Sequence, residues 1–310
     1  MMGRVKARIS YDEVMCSVAS RELRDHEVVF VGQGIPLLAA LLAMKAGKRV
    51  TLVMEGGIIG FTAYRPPIHI ADCTAFTGVE ACCEMCDMFG MFLMGGKIDV
   101  GFLGTSQIDK YGNLNTSFTK DPKESFRGRI AGSGGANEIA GFSKRLIILL
   151  HHGKFMDKLF YRTSPGWLEG STSRRDAGLP GGPSALITLD GVFRFEEDTK
   201  EMYLYSIFPG KTVEEIKAKV PWDLKINPDL KVEKLPTYEE VLTVRRFSPN
   251  ISLGRVRWAL TQTDELRRLS TKNIQLCEKY DILDSLSTSR MKKTPTTENL
   301  WPIDELPPPE

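Results

Sequence analysis

The sequence contains no apolar run close to the ~20 residues that a membrane-spanning helix needs. Its longest nearly apolar stretch, Pro36 to Met44, is interrupted by Lys45. An excess of one charge is missing too: 41 Lys+Arg stand against 39 Asp+Glu, so a net charge of +2 offers no electrostatic footprint for nucleic acid. A local phosphate site remains open. The basic residues Arg4, Lys6 and Arg8 have no apolar core behind them, only Tyr11-Asp12-Glu13. That pattern is unlike a secretory leader, and a cytoplasmic location is expected. No G-x-x-x-x-G-K-[ST] occurs, which excludes a nucleoside-triphosphate P-loop. Gly32-Gln33-Gly34 lacks the third glycine of a dinucleotide fingerprint because position 37 is Leu.

Zinc-type spacing is likewise lacking. The six cysteines lie at positions 16, 73, 82, 83, 86 and 277, and Cys83 and Cys86 form a C-x-x-C, but neither a second pair nor a His-x-x-x-His follows. The Met-rich, apolar flanks favour buried thiols on a helix in a reducing compartment. His151-His152 follow a strand end and are placed to line a cleft, yet adjacent residues on a strand face opposite ways, which makes the pair a poor metal clamp. No metal and no permanently bound cofactor are expected.

What is present is ordinary globular composition, 42% hydrophobic and 26% charged, in a chain long enough to bury a substantial core. Ser10-Tyr11-Asp12-Glu13 has capping-box spacing, which predicts a helix to about Arg24. A buried strand over Glu27 to Val31, a helix over Ile35 to Ala46 with Pro36 in its first turn, and a strand over Arg49 to Met54 follow. The Met- and Cys-rich stretch Val79 to Leu93 suggests a buried helix that stops at Gly95-Gly96. Strands are expected over Ile98 to Leu103 and Arg145 to Leu150, with a helix opened by Gly134-Gly135 between them. This alternation predicts an α/β fold with an open, mostly parallel sheet and helices on both faces. After about residue 160 the rhythm changes to short strands, Leu186 to Leu189, Val192 to Phe195 and Met202 to Ile207, expected to be antiparallel. Thr212-x-x-Glu215 and Thr237-x-x-Glu240 cap two further helices. The organisation expected is an α/β domain over 1–247 and a C-terminal extension over 248–310. That extension has an amphipathic helix pair between Leu260 and Leu286 and an end, from Trp301-Pro302 onward, too proline-rich to pack regularly.

One carboxylate stands out. Leu52-Val53-Met54 delivers Glu55 into Gly56-Gly57, so its side chain sits on a rigid support beside backbone that a substrate can approach. A second cluster, Gly132-Ser133-Gly134-Gly135, leads into a helix and exposes N–H groups suited to an oxyanion. Together they suggest acyl chemistry with Glu55 as nucleophile. The plainer alternatives are a surface turn carboxylate and an ordinary strand-to-helix connection. Gly32 and Gly34 either let a phosphate or pantetheine lie against their turn or serve tight packing. Asp99, Asp109 and Glu138 are expected to be loop or helix-end residues.

Five motifs in order resemble the β subunits of class I CoA-transferases, the glutaconate CoA-transferase branch above all. Val31-Gly32-Gln33-Gly34-Ile35-Pro36 resembles the family's G-x-G-x-P opening, and Glu55-Gly56-Gly57 falls where it carries Glu-Asn-Gly. Asp99 to Gly104 with Gln107 to Asn113 is similar to its D-x-x-x-L-G-x-x-Q-x-x-x-x-G-N pattern. Gly132 to Asn137 resembles G-x-G-G-A, with Arg145 to Ile148 as the strand after it, and Phe208 to Val213 its late P-G-x-T element. The resemblance runs from about Asp25 to Val220 and implies a glutamyl-CoA thioester on Glu55, with Gly134 and Gly135 at the oxyanion. It further implies that Gly32, Gln33, Gly34, Gly56, Gly57, Gly104, Gln107 and Asn113 lie toward CoA and substrate. Coenzyme A enters as a substrate, and an α subunit completes a heterodimer or higher multiple. Gly56 in place of the usual asparagine, and Leu150-His151-His152 in place of Met-Glu-His, depart from the pattern. The resemblance also admits a ring-opening hydrolase of CoA thioesters, whose β subunits lack the glutamate, and a non-catalytic CoA-binding or assembly subunit.

Overall fold

The computed structural model describes residues 8–62, 66–67, 70, 72–121, 128–248 and 300–302. In chain order the first half comprises β1 Arg8–Ser10, α1 Tyr11–Arg21, β2 Val28–Val31, α2 Ile35–Lys45, β3 Thr51–Met54, β4 Ile58–Ile59 and β5 Ala81–Cys82. A short α3 Met85–Asp87 continues as a π-helix over Met88–Leu93, followed by β6 Val100–Gly104, β7 Gln107–Ile108, β8 Leu114–Asn115 and α4 Ala136–Phe142. The second half adds β9 Arg145–Leu150, β10 Lys154–Phe155, α5 Ser173–Asp176, β11 Pro183–Thr188, β12 Gly191–Phe195, β13 Met202–Ile207, α6 Val213–Lys217, β14 Lys225–Val232, α7 Tyr238–Phe247 and β15 Leu300–Pro302.

Among the described residues the main sheet has the order β14-β13-β12-β11-β9-β6-β2-β3-β4-β5. Its centre, β11-β9-β6-β2-β3, is parallel throughout. The chain runs from β2 outward to β3, then returns to the other side of β2 as β6. A crevice at the C-terminal strand ends is expected at such a reversal of winding. Gly32-Gln33-Gly34 after β2 and Gly104 closing β6 both lie there.

Strand alternation divides the core into two layers. Val29, Val31, Leu52, Met54, Ile147 and Leu149 face α1, α2 and α7, whereas Phe30, Val53, Leu146, Ile148 and Leu150 face α4 and the π-helix. Helix α2 is apolar around its whole circumference, as befits a helix covered on every side. Capping boxes at Ser10, Thr212 and Thr237 are all complete in both halves. Phe247, the last residue of α7, belongs to the core. The buried pair Arg245 Nε to Glu13 Oε1, 2.5 Å, ties α7 to α1.

Three expectations change. Residues 79–84 are not helical: Ala81–Cys82 adds to the sheet edge beside Ile58–Ile59, and the helix starts only at Met85. An unfilled edge with free ladder groups outweighs local propensity there. Nor is this segment buried throughout: Met88 and Leu93 join the core, but Met85, Met91 and Met94 are exposed, as are Cys73, Cys82 and Cys86; among the described cysteines Cys16 is the buried thiol. The antiparallel strands expected after residue 160 are present as the ribbon β11-β12-β13, which the parallel pairing of β11 with β9 joins to the main sheet. Finally, Leu300–Pro302 pairs as a strand antiparallel with Arg8–Ser10, while the rest of the proline-rich end lies outside the described residues. The helix pair expected between 260 and 286 lies outside the described residues. No helix among the described residues is long and apolar enough to cross a membrane.

Candidate active site

Glu55 leaves the sheet directly after β3, and a tight turn follows in which the Gly57 N–H donates to the Met54 carbonyl at 3.0 Å. Gly57 has φ +79, and a Cβ there would lie 1.9 Å from the Cys83 carbonyl oxygen. Only glycine fits, because the backbone of residue 83 crosses at that point and Cys83 N–H bonds to the Gly57 carbonyl at 2.9 Å. Gly56 is exposed, and a Cβ on it would meet the Ile70 carbonyl at 2.7 Å. Both glycines therefore serve the turn that aims Glu55.

From the opposite side comes the glycine loop. Thr116 clamps it, accepting the Gly132 N–H at its carbonyl at 2.9 Å and donating its hydroxyl to the Gly132 carbonyl at 2.8 Å. Gly132 and Gly134 take the left-handed φ values +91 and +48 that this path requires. Gly135, the residue before α4, then donates its N–H to Glu55 Oε1 at 3.2 Å. A Cβ at Gly134 would stand 3.7 Å from the same oxygen. The carboxylate is half-buried. Loss of hydration raises its pKa above the ordinary value; the Gly135 hydrogen bond opposes that shift, and the negative charge of Glu138 adds to it.

Phe89, on the π-helix, closes the wall beside Gly135: a Cβ at 135 would come within 2.3 Å of its Cζ. Phe89 packs in turn on Phe30, ring centroids 5.5 Å apart. Neither Phe89 nor the electrostatic reach of Glu138 was visible in the sequence. The partial signal was the apolar run around Phe89, whose length marked a helix without saying what it would face.

The remaining predicted residues divide. Gly32 N–H bonds to the Phe102 carbonyl at 2.9 Å, Gln33 is exposed, and Gly34 caps α2 at φ +83; with the exposed Gly104 they lie at the C-terminal strand ends where the crevice is expected. Gln107 and Asn113 are buried instead. Gln107 Oε1 accepts from Asn115 Nδ2 at 2.7 Å. Asn113 donates to Asp109 Oδ2 and the Leu168 carbonyl and accepts from the Gly166 and Leu168 N–H groups. All four of its hydrogen-bonding positions are taken by protein, so it knits two loops together and has none left for a ligand.

A half-buried carboxylate, an amide donor aimed at it and glycine-lined strand ends make an arrangement suited to acyl transfer. The family profile of coenzyme A transferase matches residues 13–219. The β chain of 3-oxoadipate CoA-transferase from Pseudomonas knackmussii is 37% identical over 240 residues, 76% of this chain and 92% of that one. The β chain of glutaconate CoA-transferase from Acidaminococcus fermentans is 31% identical over 232 residues, 71% and 86% of the two chains. The crystal structure of the latter enzyme superimposes with a TM-score of 0.72 at 28% identity, covering 78% of this chain and 96% of that one. On this profile, these relatives and this shared fold, the chain belongs to the coenzyme A transferase family and is a CoA-transferase chain of the β kind.

Proposed function

We propose that Glu55 is the nucleophile of a double-displacement CoA transfer between an acyl-CoA and a carboxylic acid. One observation carries this reading: Glu55 Oε1 faces the Gly135 N–H at 3.2 Å in a half-dehydrated pocket beside the sheet's C-terminal edge. The carboxylate attacks the thioester carbonyl and expels CoA thiolate, leaving a mixed anhydride on Glu55. The thiolate then attacks the Glu55 carbonyl, releasing the first acid and forming a glutamyl-CoA thioester. A second carboxylate repeats the exchange in reverse and restores Glu55. A carboxylate suits the task because it leaves as readily as it attacks. Incomplete hydration makes it more basic and hence a better nucleophile.

Gly135 contributes a donor to the oxyanion that forms at each attack, typically worth about 3 kcal/mol. Coenzyme A lies along the crevice rimmed by Gly32, Gln33, Gly34 and Gly104, where backbone offers the close approach that a phosphate or pantetheine needs. The acid is carried by analogy with the relatives, a dicarboxylic acid in the first instance. Partnership with an α chain is supported by the named relatives being β chains and by the exposed Met85, Met91 and Met94 flanking the Phe89 wall.

The test is to incubate the chain and its α partner with acyl-CoA, reduce with borohydride, and map peptides by mass. Reduction is expected to convert Glu55 to the corresponding alcohol and to leave no mark in Glu55→Gln. A mark on a residue of the partner instead refutes the assignment.

A further inference from the structure

Three donor groups that the transfer chemistry does not use converge at the C-terminal end of β9. Asp12 in the first turn of α1 and the pair His151-His152 bring a carboxylate oxygen and two imidazole nitrogens within 4.8 Å of one another. The two imidazoles lie side by side, ring centroids 3.8 Å apart and planes at 44°. They can do so because the pair sits past Leu150, the last residue of β9, in a bend, where the alternation of extended backbone no longer applies. Gly153 holds that bend: a Cβ there would be 2.4 Å from the Ser106 carbonyl oxygen and 2.2 Å from Leu150 Cδ1. The next residue, Lys154, donates its N–H to the same Ser106 oxygen at 2.9 Å. Asp12 lies in the first turn of α1, which the Ser10–Glu13 capping box closes, and hydrogen-bonds to His151 Nε2.

We propose that Asp12, His151 and His152 form a binding site for a divalent cation of the zinc class. Two imidazoles and one carboxylate make a donor set suited to Zn²⁺, Ni²⁺ or Cu²⁺, whereas Mg²⁺ and Ca²⁺ take oxygen ligands. Bonds of ~2.0–2.1 Å to a tetrahedral ion require ligand atoms roughly 3.3 Å apart, so the hydrogen-bonded Asp12–His151 pair parts to admit the ion and His152 adjusts to it. His152 is exposed and supplies both that movement and the route of entry. The ion takes the place of the Asp12–His151 hydrogen bond, and water completes its coordination. The bound ion ties the start of α1 to the end of β9. This site is independent of the transfer reaction at Glu55.

The test strips the intact chain with chelator and titrates it with Zn²⁺ by calorimetry and with Co²⁺ by visible absorption. One equivalent is expected to bind, with a Co²⁺ spectrum free of thiolate charge-transfer bands. Affinity is expected to fall at least tenfold in His152→Asn, whose exposed side chain leaves the fold intact, and in Asp12→Asn. Binding should survive Cys83→Ser/Cys86→Ser. Absence of a saturable equivalent, unchanged affinity in His152→Asn, or loss of binding with the cysteine pair each overturns the proposal.

Discussion

Gly135 and Glu55, 80 residues apart in the chain, meet through one 3.2 Å hydrogen bond from the Gly135 N–H to Glu55 Oε1. The space around that bond admits no side chain, since an added Cβ would press on Phe89 at 2.3 Å and on the carboxylate at 2.9 Å. Gly135→Ala is therefore expected to lower kcat on the order of 10²-fold, the usual effect of losing one oxyanion donor. Gly134→Ala differs in kind. Its Cβ finds ordinary contact at 3.7 Å, but φ +48 costs roughly 1–2 kcal/mol for a non-glycine residue. Stability should drop with a smaller change in kcat. Comparing turnover and urea unfolding of the two variants checks the contrast.

The raised pKa of Glu55, driven first by lost hydration, predicts an acid limb in kcat/KM above the ordinary glutamate value of about 4.3. Activity rises with pH as the carboxylate ionises. Glu138→Gln removes the like charge that adds to the shift, so the limb should move to lower pH. A pH–rate profile of both proteins decides this.

The same shift has a stability consequence. Because the folded pKa is raised, folding favours the protonated form, and that stabilisation is lost as pH rises through the folded pKa. Glu55→Gln should accordingly be inactive yet more stable than the native chain at pH 7, with the gap shrinking toward pH 4. Thermal melts at the two pH values measure it.

Arg174 is a fully buried cation whose guanidinium donates to the carbonyls of Pro165, Gly166, Ala140, Gly141 and Pro180. Burial lowers its pKa to about 10, which leaves it charged at neutral pH. Two of those carbonyls close α4, whose other end presents Gly135. Arg174→Met strands buried acceptors, each worth about 1–3 kcal/mol. An overall loss on the order of 3 kcal/mol in urea unfolding is expected, together with reduced kcat.

Thiol labelling of the folded chain should modify Cys73, Cys82 and Cys86 and spare Cys16 until denaturant is added. Burial, reinforced by the Glu13 carboxylate, raises the Cys16 thiol far above the reactive range. Peptide mapping after timed alkylation gives the order of reaction.

Much of the fold was legible because its signals are local. The capping boxes at Ser10, Thr212 and Thr237 each involve residues three apart, and each forms as its spacing implies. The strand over Arg145 to Leu150 was bounded correctly by a continuous apolar run. By contrast, the spacing in Cys82-Cys83-Glu84-Met85-Cys86 was silent about Ala81–Cys82 joining a sheet edge built from Ile58–Ile59. The alternation rule misled at His151-His152, because it holds within a strand and the pair lies one step beyond it.

The sequence alone determined that Glu55 ends an apolar strand in a glycine turn, since a two-residue period and a pair of glycines are properties of a few consecutive residues. Its family motifs likewise lie in short, ordered stretches. Only the tertiary structure decided that Gly135 faces Glu55, that Phe89 walls the pocket, that Asn113 is enclosed and that Arg174 braces α4. Those contacts follow from the strand order β9-β6-β2-β3, which brings distant loops to one edge, and strand order is set by packing the whole core.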